Sequence, residues 1–181
     1  MHAKSESQIG GLAMKLVVAG LAFVFLAGCS QQQNTAADAA LEFKVAALQQ
    51  QVNDSKPGLG EIMGVIEQHH AKLCYAGTNA NWPLATYELN EIQESLEDAM
   101  NLYPSPFKNV TVPLPKIIPA MTKATVAGVQ QAIQHKDEKS FVQAYQALSG
   151  SCSSCHSAEH HPFIKIKSPE PGMFTDQEFV P

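Results

Sequence analysis

The sequence predicts an all-α protein: an antiparallel four-helix bundle, preceded by a short amphipathic helical stub and followed by an extended tail. Apolar residues recur at steps of three and four through four long segments between residues 59 and 160. Breakers and caps fall between those segments: "NDSKPGLG", Gly77, Asn81, a proline-rich stretch over 103–119, Asp137 and Pro162. Nothing reads as a sheet; the short alternation Phe163–Ile164–Ile166 is too brief to build one.

The front of the chain sets the compartment. Met14-Lys15 precedes "LVVAGLAFVFLAGC", an apolar run of about a dozen residues, too short for a permanent membrane span but suited to an export signal. Either Met1 or Met14 can be the start. The run closes in Leu26-Ala27-Gly28-Cys29, which resembles the lipobox of bacterial lipoproteins. That resemblance implies residues 1–28 as signal peptide, lipid attachment at Cys29, and a protein anchored on the periplasmic side of a membrane. Ser30 at the next position favours the outer membrane. Several acyl chains would make the anchor stable.

What remains is roughly 150 residues, the size of one domain. Losing Lys4, Lys15 and Glu6 moves the formal charge from −5 to −6. The chain has no Arg, the side chain best fitted to bidentate phosphate contact, so nucleic acid is not an expected partner. Of four Cys, Cys29 belongs to the lipid, Cys74 stands alone, and Cys152 and Cys155 form a pair. This is no disulfide framework.

Residues 29–58 read as a tether with a short amphipathic helix. In it Leu41, Val45, Leu48 and Val52 follow a 4-3-4 spacing that suits a coiled-coil stub or a homodimer contact through 41–52. The first bundle helix runs from about Leu59 to Ala76, with Leu59, Ile62, Met63, Ile66 and Leu73 on one face and Gly77 as its end. Asn81 caps the second, Pro83 being tolerated in its first turn. Its stripe is Trp82, Ala85, Leu89, Ile92, Leu96, Ala99 and Tyr103, with Glu88, Glu91, Glu94, Glu97 and Asp98 largely off the seam as a solvated face or a docking surface. A long connection from Tyr103 leads to a third helix kinked near Pro119 and ending near His135. Asp137 caps the fourth, in which Phe141, Tyr145, Leu148, Cys152 and Cys155 share a stripe. Residues 59–160 thus form the bundle, and 161–181 a tail expected to wrap along it.

The chemistry-bearing stretch is "SCSSCH", Ser151–His156. A structural zinc site needs four ligands, and His160 and His161 make no recognisable second half. An active dithiol belongs at a helix N-terminus, where the dipole favours thiolate; here the pair sits near a C-terminus. Haem attachment needs two thiols on one edge and an imidazole reaching the iron. Positions 152, 155 and 156 share one helical face, and export suits a group attached outside the cytoplasm.

A four-helix bundle with Cys-x-x-Cys-His in its last helix resembles cytochrome c-prime and its low-spin relatives, the class II c-type cytochromes, over about residues 59–159. The resemblance implies one covalent haem c, thioethers at Cys152 and Cys155, and His156 as proximal iron ligand. "HHAKL", "NWPLATYEL" and "FIKIKSPEPGMF" are also similar to a group of small bacterial c-type cytochromes. Two departures are the tail beyond the motif and the lack of an Arg on the first helix. In this class the first helix presents its distal residue about three turns in, near His69 and His70. His70 is the leading candidate, with His69, Met63 and an empty position as alternatives. His135, His160 and His161 are expected to be exposed; Trp82, Tyr87, Phe141 and Tyr145 to be core; Cys74 to be a small buried residue.

Three functions fit. The first is a monohaem, lipid-anchored periplasmic electron carrier with a protein redox partner. The second is a five-coordinate protein binding nitric oxide or carbon monoxide. The third is a haem-bearing docking or sensor subunit of a larger complex. No acid–base pair is placed against a substrate site, so an enzyme is not expected.

Overall fold

The computed structural model describes residues 35–108, 110–174 and 176–181. The expected signal peptide, residues 1–28, and the expected lipid attachment at Cys29 lie outside the described residues. The chain divides into two units, Met1–Lys56 and Pro57–Pro181.

In the first unit, helix α1 covers residues 35–55. It begins earlier than the expected 41–52, because "TAADAA" at 35–40 is rich in alanine, the best helix former. Leu41, Val45, Leu48 and Val52 are all exposed on it.

The second unit holds α2 (Leu59–Thr78), α3 (Trp82–Leu102), α4 (Leu114–His135) and α5 (Glu138–Ala158). Among the described residues there is no strand, only an isolated bridge between Phe107 and Val110. α2 packs on α3, α3 on α4, α4 on α5, and α5 back on α2, the last being the slimmest of the four contacts. These pairings are consistent with a bundle. Leu73, Ala76, Ala85, Ala99, Val129 and Phe141 are fully buried at its centre, as the helical spacing requires.

The helix starts follow the capping residues. Asn81 Oδ1 accepts from the Leu84 N–H at 3.3 Å and Asp137 Oδ1 from the Ser140 N–H at 3.2 Å. Two expected boundaries move. α4 begins at Leu114, so the connection is shorter than 103–119 and Pro119 lies inside the helix. Pro115 sits in the first turn, where a missing N–H costs nothing. Gly77, expected to end α2, is a helical residue. Its role is close approach: a Cβ there would lie 2.0 Å from the Phe141 ring. That contact locks the height of α5 against α2.

The tail lies on α2 and α5. Ile166 N–H donates to Ser153 Oγ at 2.9 Å, the Tyr75 hydroxyl to the Glu170 carbonyl, and Tyr75 packs against Phe174 and Phe179.

Candidate functional site

Cys152, Cys155 and His156 lie in the last two turns of α5, all three half-buried, with both thiols packed against the apolar core. The cysteines are free. Burial pushes the Cys152 thiol up to about 11, the neighbouring Cys155 adding to it. Cys155 is raised by burial and then by the Glu159 charge. Both shifts run opposite to the activation of a redox dithiol. Burial lowers the pKa of His156, the Ile164 backbone offsetting part of this. Its Nδ1 is buried without a hydrogen-bond partner. Among the described residues, no three His, Cys, Asp or Glu side chains gather as a set of metal ligands.

His70 is buried in a hydrogen-bonded chain between α2 and α5. Ser149 Oγ donates to the Tyr145 carbonyl at 3.0 Å, which leaves it to accept from His70 Nε2 at 2.9 Å. The Tyr145 hydroxyl reaches His70 Nδ1 at 2.8 Å, and the two rings stack 4.5 Å apart. A neutral imidazole protonated on Nε2 satisfies every member of this chain. A second ring proton would meet the tyrosine hydroxyl in a dry site, and burial lowers the His70 pKa from 6.5 to about 4.

The unfolded chain therefore takes up a proton that the folded chain refuses between those two values. Stability should be level above pH 6.5, fall as pH drops towards about 4, and flatten below. The loss from this group approaches roughly 3 kcal/mol. Urea midpoints across that range check it; His70→Gln should remove this component of the slope, and an unchanged slope would refute the assignment.

His69 faces α3 instead. Its Nδ1 lies 2.7 Å from Glu88 Oε2 and its Nε2 3.8 Å from Glu91 Oε2. Glu88, expected off the seam, is buried at 1 % exposure. The spacing of acidic residues on α3 gave no sign of this; the twin histidines opposite were the available signal. Tyr87, expected in the core, is exposed, whereas Phe141 and Tyr145 are buried and Trp82 half-buried. Cys74 is half-buried beside Tyr145. His135 and His160 are exposed, and His161 is half-buried, its Nδ1 2.5 Å from the Glu159 carbonyl oxygen.

Three contacts fix the register of α2 on α5. Gly77 meets Phe141, Cys74 meets Tyr145, and His70 meets Ser149. The two helices run in opposite directions. Continued along both, the same steps bring Ile66 level with Cys152 and Met63 level with His156. Met63 is half-buried against the core. His70 lies about two turns away from the level of the motif imidazole.

Compared with family models, curated proteins and solved structures, the chain matches none.

Proposed function

We propose that residues 59–160 form an antiparallel four-helix-bundle haem domain and that the protein is a monohaem c-type cytochrome, a lipid-anchored periplasmic electron carrier. The observation that carries this reading is the placement of Cys152, Cys155 and His156 on one half-buried face of the last helix. The residues also fit the group in a second respect: His156 Nδ1 is buried without a hydrogen-bond partner, so an imidazole nitrogen of the motif is left for a ligand to engage.

Cys152 and Cys155 would hold the haem through thioethers and His156 would ligate the iron, with α2 closing the opposite side along its slim contact with α5. Bound there, the haem would supply a one-electron redox centre. For the sixth position the register favours Met63 over His70, whose Nε2 is committed to Ser149. A thioether ligand would raise the potential and leave no open site for a gas. Absorption spectra of both oxidation states, with and without carbon monoxide, test this. A six-coordinate low-spin protein indifferent to carbon monoxide is expected; rapid binding to the ferrous form would favour gas binding instead.

The exposed stripe Leu41, Val45, Leu48 and Val52 suits pairing with a second copy. No helix among the described residues is long and apolar enough to cross a membrane; the anchor would be the lipid on Cys29. Cys29→Ala should release the protein from membranes or stall its precursor, as fractionation would show. Normal maturation and partitioning of that variant would remove the anchor.

A further inference from the structure

The end of the chain crosses the slimmest helix–helix contact of the second unit, that of α2 with α5. Much of what those two helices share is polar: the buried chain of His70, Tyr145 and Ser149. A hydrogen bond made there replaces one made to water, so its net contribution to closing the seam is small. The tail is fastened on both sides of it. On α5, Ile166 N–H donates to Ser153 Oγ at 2.9 Å. On α2, the Tyr75 hydroxyl donates to the Glu170 carbonyl, and its ring packs against Phe179 at 5.1 Å and Phe174 at 6.3 Å. Lys72 lies over the Phe174 ring at 5.2 Å. Residues 166–170 reach at most about 14 Å, against the roughly 8–10 Å that separates packed helix axes. The crossing has little slack.

Much of the tail's own apolar surface stays in solvent: Ile164 is 40 % exposed, Met173 56 % and Val180 59 %. The Lys167–Glu170 ion pair also lies at the surface. A segment with few buried apolar contacts opens locally, without unfolding the helices beneath it. We propose that residues 164–180 form a detachable strap that holds the α2–α5 seam closed, with Tyr75 as its buckle, and that its release admits solvent to the buried His70–Tyr145–Ser149 chain. The inference is independent of the haem reading. Access to the buried imidazole then becomes a property of the tail and not of the whole bundle.

Cys74 reports on the opening, being half-buried on α2 between Tyr145 and Ser168 of the tail. The test is thiol labelling of Cys74 in the full-length protein, read on its own peptide by mass spectrometry, together with amide hydrogen exchange. Phe174→Ala combined with Phe179→Ala strips the buckle of its ring partners and should speed labelling at least about tenfold. Ser153→Ala acts at the far end of the strap, on the other helix, and should still speed it about threefold. In both variants exchange should rise in the tail and around His70 and Ser149, while α3 keeps its protection. In the unaltered protein the tail should exchange faster than the helices, and urea too dilute to unfold the bundle should leave the Cys74 rate nearly unchanged. That measurement stands if a variant fails to fold. Unchanged labelling in the phenylalanine pair overturns the strap. So does a silent Ser153→Ala, which would make the tail a local cover of Cys74 alone. Labelling of the unaltered protein that accelerates in urea in step with the loss of α3 protection would place access in global unfolding and overturn it as well.

Discussion

Changing both Cys152 and Cys155 to Ala is expected to abolish covalently bound pigment, leaving no haem stain on a denaturing gel. Each single change should weaken the stain, because one thioether can still form. The reasoning is stereochemical. Two thiols one turn apart face the same side of α5, and the imidazole of His156 follows on the adjacent position. Both thiols are half-buried, so alanine leaves only a small void and costs about 1 kcal/mol. The double variant should therefore keep its helical circular dichroism while losing colour. Pigment surviving denaturation of the double variant would end the haem assignment. So would stoichiometric zinc, without haem, in correctly exported wild type.

Met63→Ala should have the next largest effect. If Met63 stands across from His156, as the register of α2 on α5 implies, its removal opens the sixth position. The ferric spectrum should shift towards high spin, any sulfur-to-iron band in the red should vanish, and the ferrous protein should begin to bind carbon monoxide. His70→Ala should behave differently. It leaves the Tyr145 hydroxyl and Ser149 without the ring between them, a loss of about 1–3 kcal/mol, while the low-spin spectrum persists. The reverse pattern, with Met63→Ala silent and His70→Ala opening the site, would return the ligand to His70.

The local parts of this molecule were legible because they depend on short-range chemistry. Asn81 and Asp137 announce helix starts through their own side chains, and the 3–4 spacing of Ala85, Leu89, Ile92 and Ala99 follows from helix geometry alone. The shared helical face of Cys152, Cys155 and His156 follows from the same geometry, since all three lie in α5. What stayed hidden depends on how one helix is set against another. Gly77 reads as a helix stop until Phe141 is seen against it. Glu88 reads as solvated until His69 is found 2.7 Å away. The twin histidines looked like rival ligands on the two edges of one face, yet α3 takes one and α5 the other. The burial of Glu159 depends on a loop almost fifty residues earlier in sequence, whose Thr111 N–H donates to its Oε2.

The seat of the tail on α5 bears on biogenesis. Ser153, between the two cysteines, is hydrogen-bonded to Ile166, and Tyr75 of α2 ties down Glu170 further along. These fastenings form only after the whole chain has been delivered and α2 and α5 have met. Once they close, the thiols lie against the core, where an attachment machinery would have to pry the chain open to reach them. On the haem reading, thioether formation thus competes in time with collapse of the empty chain. If haem is attached there, its attachment would have to precede the closing of the C-terminal segment, and the tail would then act as a clasp shut behind the cargo.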